Sequence, residues 1–596
     1  MLRPTALCLA LLLSAAPATA GDIPTDNVLF VILDDWGVDW LGLYDEAGLC
    51  SGTRNQACSS DADCTAPSTC EATYPTTPTL DQLAAEGLTF RNGWSNPVCS
   101  ATRAAFMTGR HGIRTGVLGL ASGGVQLEAD EVTYAEAMLD PIGGSPAGHQ
   151  PALFGKWHLG GGNNAPNDQG FVRYAGMTGG GVGASYLEWN RTVDGTNGDC
   201  SPGSVDCPVE SYTTSVIVDD ALAWTSTIAA PWVVTLAFNA PHSPYHVPPH
   251  DLLTADTLSR LPQVGDETAP EGTTCEREDQ EICYLAAIEA TDRELGRFLA
   301  AQAEPPTVIL IGDNGTPETV VRLPFTSGKG SLFEGGVNVP FLIRHADGRS
   351  AGLETDALVH VVDVFSTILE LTCSEPPVDR VIDGRSLLPL LDDPTQPWAD
   401  TVFFRGLQGA AARNDRFRLI LRVDDEAMTT TEELYDLEND PFEAVDLLAA
   451  GDLSDEASAA LDELRLAVGG VEGGSGTIPS GADGSGDALH LSRLPGGELR
   501  LSWSASCSVE DTDHALYEGA LGDFTSHVPA ACSTGGAQTF DLTPDTGSRY
   551  YLVVPATDAA EGSYGLRSDG SARPASATAC RPQLRRDCPW ISPCSG

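Results

Sequence analysis

Basic side chains are scarce in this 596-residue chain: 33 lysines and arginines face 83 aspartates and glutamates, a formal net charge of −50. The imbalance is spread along the chain rather than packed in a tail. It excludes nucleic acid as a partner, because nothing would neutralise a phosphate backbone. It does not exclude a small anionic ligand, since a cationic pocket can sit inside an acidic surface. Long apolar runs are also missing. The run inside Met1–Ala20 is too short to span a bilayer and no later stretch is long enough, so no transmembrane anchor is expected. With Arg3 ahead of the run and Ala18-Thr19-Ala20 behind it, residues 1–20 read as a signal peptide and the mature chain as secreted or periplasmic. No internal repeat is present.

Sixteen cysteines fit an exported protein. Cys50, Cys58, Cys64 and Cys70 crowd a polar insertion, about 49–71, that reads as disulfide-stapled. A zinc site is the competing reading, but the cluster lacks any CxxC spacing. Cys200 with Cys207, and Cys275 with Cys283, are spaced as local pairs.

From residue 21 to 468, short β-branched runs alternate with helix-like segments, the pattern of an α/β domain with a mostly parallel central sheet flanked by helices. Buried strands are expected at Val28–Leu33, Ala152–Phe154, Trp232–Phe238 and Thr307–Ile311, and a helix over Leu358–Leu371. Residues 469–487 form a Gly/Ser-rich linker. Beyond it the periodicity changes to two, as in ELRLSWS (498–504) and RYYLVV (549–554), so 488–572 reads as a small sandwich-like all-β module with Cys507 and Cys532 as its staple. A cysteine-containing tail, 573–596, follows.

Chemically complementary residues follow the expected strands, where ligands bind in open α/β sheets. Val28–Leu33 runs into Asp34-Asp35-Trp36-Gly37, and Thr307–Ile311 into Gly312-Asp313-Asn314-Gly315. Three carboxylates and one amide oxygen are hard donors suited to Ca²⁺ or Mg²⁺. Each acidic pair alone is an ordinary turn. Cys99 opens an expected helix, CSATRAAFMTGR, in which Arg103 at i+4 lies beside position 99 and the N-terminus favours an anion. A nucleophilic thiol would need a histidine base and no metal, and an inert half-buried cysteine is the bland alternative. In Phe154-Gly155-Lys156-Trp157-His158, an extended backbone would point Lys156 and His158 the same way. Prolines flank His242 in Asn239-Ala240-Pro241-His242-Ser243-Pro244, and Lys329 lies in the glycine-rich SGKGSLFEGG. Asp34, Asp35 and Asp313 would be offset by a divalent cation with Arg103, Lys156 and Lys329, leaving positive charge for an anionic ester.

On the pentad Cys99-Ser100-Ala101-Thr102-Arg103, the acidic pairs and the GKWH and PHSP segments, the chain resembles the type I, formylglycine-dependent sulfatases of the alkaline phosphatase superfamily. The likeness runs from about Asn27 to Leu448 and includes connecting text such as PTTPTLDQLAAEGLTFRNGW, DGRSLLPLL and LYDLENDPFEAVDL. It implies a sulfatase acting on a sulfated small molecule or carbohydrate, with Cys99 converted to formylglycine by a formylglycine-generating enzyme. Asp34, Asp35, Asp313, Asn314 and residue 99 would bind Ca²⁺, with Mg²⁺ as the alternative. Arg103 would favour the nucleophilic hydroxyl of the hydrated aldehyde, and Lys156 and Lys329 would hold sulfate oxygens. His242 or Lys329 would serve the leaving alcohol, and His158 would take the proton whose loss expels sulfate. Ala101 and Thr102 replace the commoner proline and serine, and Asn338 stands where arginine is frequent. Two other readings stay open: a phosphonate monoester or phosphodiester hydrolase of the same superfamily, and a non-catalytic surface-binding protein.

Overall fold

The computed structural model describes residues 26–556 except 45–47, 51–56, 59–69, 72–73, 122–124, 198–208, 266, 323–324, 326, 378–379, 400, 425–428, 452, 473–489, 495–497, 504–512, 521–526, 536, 538 and 544–548. The expected signal peptide, the C-terminal tail, most of the linker and Cys64, Cys200, Cys207 and Cys507 lie outside the described residues.

Period-two alternation of apolar side chains builds a sheet with a core on each face. In β1 (Val28–Leu33), Leu29, Val31 and Leu33 enter one core while Val28, Phe30 and Ile32 enter the other. A strand buried on both faces reads as an unbroken apolar run, as expected for the middle of a parallel sheet. The remaining strands are β2 (Leu88–Trp94), β3 (Gln150–Lys156), β4 (Arg173–Met177), β5 (Thr192–Val193), β6 (Thr196–Asn197), β7 (Trp232–Ala237), β8 (Thr307–Gly312), β9 (Phe341–Arg344) and β10 (Leu353–His360). Their spatial order is β10-β2-β9-β8-β1-β7-β3-β4-β5-β6.

Strands β8, β1, β7, β3 and β4 run parallel, so their carboxyl ends share one edge. β9 is antiparallel to β8, and β2 is antiparallel to β9, which returns the end of β2 to that same edge. Helices cover both faces. α1 (Cys99–Thr108) and α4 (Asp363–Leu371) pack through Phe106, Phe365 and Ile368 on one side. α2 (Thr213–Thr225) and α3 (Gln280–Ala300) pack through Ile217, Val218 and Leu285 on the other. Gly109, in the left-handed conformation at φ 69°, ends α1.

The helix expected over Leu358–Leu371 is corrected: Leu358–His360 closes strand β10, and the helix starts at Asp363. Leu358, Val359 and His360 pair in parallel with Asn92, Gly93 and Trp94 along the edge of β2, which favours the strand, and Asp363 accepts the His360 N–H at 3.0 Å to make the turn. Cys275 and Cys283 form a disulfide, and Cys532 is disulfide-bonded.

A second, four-stranded antiparallel sheet follows: β11 (Val402–Gly406), β12 (Gly409–Arg413), β13 (Phe417–Asp424) and β14 (Thr429–Asp436), with α5 (Asp455–Glu472) against it. Farther on, His490–Arg493, Leu499–Ser502 and Thr539–Leu542 make one antiparallel sheet, and Asp513–Ala520, Val528–Ala531 and Arg549–Ala556 another. Leu501, Trp503, Leu516 and Tyr551 join the two in a shared apolar cluster.

The four-stranded sheet is tied to the loop after β8 by a buried ion network. Glu334 Oε1 accepts from Arg418 Nη1 at 2.7 Å and Arg413 Nη1 at 3.2 Å, while Glu443 Oε2 accepts the Glu334 N–H at 2.8 Å. The Arg418 guanidinium also lies over the Trp94 ring, 4.6 Å from its centre. Removing the arginine takes the buried cationic partner from Glu443 and leaves Glu334 with Arg413 alone. Arg418→Ala is therefore expected to destabilise the protein by about 3–5 kcal/mol in denaturant unfolding. Arg500→Ala, which breaks the exposed pair with Asp541, should leave the midpoint unchanged.

Candidate active site

The shared carboxyl edge brings together every site residue named from the sequence. Asp34 and Asp35 leave β1, Cys99 opens α1 after β2, and Lys156 ends β3. His242 follows β7, Asp313 and Asn314 follow β8, and Lys329 returns from the next loop. Asp34, Arg103, Lys156, Asp313 and Asn314 are fully buried, and Cys99 is 1 % exposed. His242 and Lys329 retain about a fifth of their side-chain exposure, so the site opens to solvent on their side.

One extended-backbone expectation is corrected. β3 stops at Lys156, and His158 turns into the left-handed region at φ 56°. Trp157 and His158 donate their N–H groups to Met177 and Thr178 carbonyls at 3.0 and 3.2 Å, which sets the turn. The result still places both side chains at the site: Lys156 Nζ donates to Asp34 Oδ2 at 2.6 Å, and His158 Nδ1 lies 3.1 Å from Cys99 Sγ. Arg103 binds Asp313 Oδ2 and the Lys156 carbonyl, each at 2.8 Å. Asp35 N–H donates to Asp313 Oδ1 at 3.0 Å, Asn314 Nδ2 donates to Asp35 Oδ1 at 2.9 Å, and Lys329 pairs with the same Asp35 oxygen. His242 Nε2 stands 3.7 Å from Asp35 Oδ2, while its Nδ1 lies 2.7 Å from the Ser243 carbonyl.

Burial penalises every charge here, and the partners decide which carboxylate keeps it. Desolvation works against Asp34, yet Lys156, with His242 and Arg103, holds its carboxyl well below the usual range. Asp313 is pushed up to about 7 by burial and then by the neighbouring Asp34. Burial, with Lys156 and Arg103, pushes His158 down to about 3, leaving a neutral ring, and burial raises the Cys99 thiol. Lys329 is also disfavoured by burial, but Asp35 raises it overall.

The donor set fits a hard divalent cation. Asp34 Oδ1 and Asn314 Oδ1 are buried without a hydrogen-bond partner, the state of an oxygen reserved for a metal. Ligand atoms of Asp34, Cys99 and Asp313 lie within 4.8 Å of one another, as do those of Asp34, Asp35 and His242. Ca²⁺ is expected to raise the thermal midpoint, by about 2.7 kcal/mol of stabilisation at a hundredfold excess over Kd. Asn314→Ala should weaken binding at least about tenfold in the same titration.

Several supporting residues carry no local signal in the sequence. Tyr186 Oη donates to the Asn239 and His242 carbonyls at 2.9 and 2.7 Å, and Tyr284 Oη to the Asp35 carbonyl. Thr316 Oγ1 accepts the Gly37 N–H at 3.1 Å and donates to Asp39 Oδ1 at 2.5 Å. These bonds join segments tens to hundreds of residues apart. Asn239, two residues ahead of the PHSP segment, has a buried side-chain amide with no partner among the described residues.

The sulfatase family model matches residues 26–374, and the model of the N-sulphoglucosamine sulphohydrolase C-terminal region matches 327–465. The chain is 27% identical over 449 residues to the steryl-sulfatase of Rattus norvegicus, covering 62% of this chain and 70% of that one. It is 28% identical over 422 residues to the N-acetylgalactosamine-6-sulfatase of Canis lupus familiaris, covering 64% and 69%. Among solved structures, a protein in complex with its substrate D-glucosamine-2-N,6-O-disulfate superposes with TM-score 0.56 at 18% identity, over 75% of this chain and 98% of that one. The phosphonate monoester hydrolase of Agrobacterium radiobacter superposes with TM-score 0.50 at 20% identity, over 74% and 95%. With its central sheet, its converging polar residues and its family match over most of the same span, the chain belongs to the sulfatase family and is a sulfuric ester hydrolase.

Proposed function

We propose that the chain is an exported sulfatase that hydrolyses sulfate monoesters of the aryl or carbohydrate type through a formylglycine made from Cys99. The observation that carries this reading is the placement of Cys99. It is the free cysteine among the described residues, buried at the N-terminus of α1, facing His158, with its sulfur and carboxylate oxygens of Asp34 and Asp313 within 4.8 Å of one another. The Cys275–Cys283 disulfide supports an oxidising compartment, hence export and maturation by a formylglycine-generating enzyme.

Asp34, Asp35, Asp313 and Asn314, with residue 99, would hold Ca²⁺ or Mg²⁺. Such an ion supplies Lewis acidity, lowering the cost of a deprotonated hydroxyl at position 99. The aldehyde, once hydrated, supplies that hydroxyl and a second one through which sulfate can be released without attack by water. Arg103 holds Asp313 and adds positive charge beneath position 99. Lys156 and Lys329 balance Asp34 and Asp35 at rest, and their ammonium groups stabilise sulfate oxygens as negative charge grows on them. His158 presents Nδ1 to position 99 and removes the proton whose loss releases sulfate. His242, on the open side with Lys329, hands a proton to the departing alcohol.

Hydrolysis of phosphonate monoesters or phosphodiesters is the second reading, supported by the fold shared with the Agrobacterium radiobacter enzyme. An aryl sulfate is expected to be cleaved with higher kcat/KM than the matching aryl phosphonate, and the reverse preference would overturn the proposal. The tryptic peptide containing residue 99 should carry the aldehyde mass. Unmodified cysteine after native expression would instead support a non-catalytic role. Tyr186→Phe should lower kcat on the aryl sulfate about tenfold with KM little changed, since it frees the His242 carbonyl without touching substrate.

A further inference from the structure

One buried amide at the carboxyl edge has no task in the resting protein. Asn239 is 1 % exposed, and neither its Nδ2 nor its Oδ1 has a hydrogen-bond partner among the described residues. An unpaired amide in a dry interior is costly, so it points to a group that completes it. Its backbone is nevertheless held firmly. The Asn239 carbonyl accepts the His242 N–H at 2.8 Å and the Tyr186 hydroxyl at 2.9 Å, and that hydroxyl also donates to the His242 carbonyl at 2.7 Å. Asn239 is thereby locked to the histidine that serves the leaving alcohol.

The pleat of β7 decides which way the amide faces. Ala237 lies in the core on the α1 side, whereas Phe238 and Ala240 lie in the core on the α2 and α3 side. Asn239, between those two, is therefore turned toward the α1 side, where Cys99 stands. Strand β1 pairs Ile32 with Ala237, so Asn239 comes level with Asp34, which follows Leu33 onto that same side. β7 lies between β1 and β3. Lys156, at the end of β3, reaches Asp34 Oδ2 at 2.6 Å only by crossing the end of β7. Asn239 thus lies beneath the Lys156–Asp34 pair without bonding to either.

Resting on the sulfatase reading, we infer that Asn239 is a further catalytic residue, whose Nδ2–H group donates to a sulfate oxygen of the substrate between Lys156 and His242. A neutral donor suits this position. A further cation would be repelled by Lys156 and Arg103, while an amide N–H binds an anionic oxygen without adding charge. Lys156, fully buried itself, sits at the same depth below solvent as the amide.

The test uses the full-length, formylglycine-bearing protein with Ca²⁺, an aryl sulfate as substrate and inorganic sulfate as the competing product. Asn239→Leu keeps the bulk and removes both polar atoms. No resting hydrogen bond of the side chain is lost, so its thermal midpoint should equal or exceed that of the wild type. Its inhibition constant for sulfate is expected to rise at least about tenfold, and its kcat/KM on the aryl sulfate to fall at least about tenfold. Ca²⁺ affinity should stay unchanged. A wild-type inhibition constant for sulfate in Asn239→Leu would overturn the inference, as would a fall in Ca²⁺ affinity that accounts for the lost activity. If Asn239→Leu does not fold, Asn239→Ala is read in the same way, and loss of folding in both would assign the amide a structural role and overturn the inference. Failure of the wild-type protein on the aryl sulfate would remove the sulfatase reading itself.

Discussion

The structure turns on a cluster of charges with almost no water to screen them. Asp34, Asp313, Arg103 and Lys156 are fully buried at the carboxyl edge of the sheet, and each charge is tolerable because of the others. A lone carboxylate or ammonium there would be strongly disfavoured, so the fold must deliver all of them together. Strand β1 supplies one carboxylate, β8 another, β3 the ammonium and α1 the guanidinium. The two carboxylates compete for positive charge: lysine settles on Asp34, while Asp313 is pushed toward neutrality despite its arginine. A divalent cation would relieve that competition, which is the same demand the unpartnered oxygens of Asp34 and Asn314 express.

Backbone geometry does the rest of the positioning. Asp35 and His158 both adopt positive φ, at 64° and 56°, conformations that non-glycine residues keep where surrounding contacts hold them. The Tyr284 hydroxyl on the Asp35 carbonyl and the Thr178 carbonyl on the His158 N–H are such contacts. Lys329 reaches Asp35 because two loops lie backbone to backbone: a Cβ at Gly315 would stand 1.8 Å from the Gly335 carbonyl oxygen. Lys329 N–H donates to the Thr316 carbonyl at 2.8 Å, and Gly315 N–H donates to the Gly336 carbonyl at 2.9 Å.

The loop bearing Lys329 is therefore shared property of two layers. At one end it lies against the Asp313–Thr316 turn, and at the other Glu334 is gripped by Arg413 and Arg418 of the four-stranded sheet. The match to the sulphohydrolase C-terminal region begins at residue 327, just ahead of Lys329. The second sheet thus buttresses an edge of the site without contributing to the groups gathered around position 99.

Much of the chemistry was readable from local text. Acidic pairs after apolar runs, Arg103 one helical turn from Cys99, and a lysine and histidine among glycines identify donor types and charge balance. The family resemblance supplied their intended partners. Local periodicity failed where neighbours outweighed it: Leu358–His360 became a strand because β2 offered an edge to pair with, and His158 left the extended path because the carbonyls of residues 177 and 178 captured its turn. Tyr186, Tyr284, Asp39 and Thr316 were silent, since their bonds cross 53 to 279 residues of chain and no spacing rule spans that distance. The sequence by itself determined which charges, oxygens and proton carriers were available, and that the acidic pairs, Lys156 with His158, and His242 would each follow a strand. Only the tertiary structure decided that those strand ends share one edge, because strand order and direction are set by packing two cores at once rather than by any local pattern.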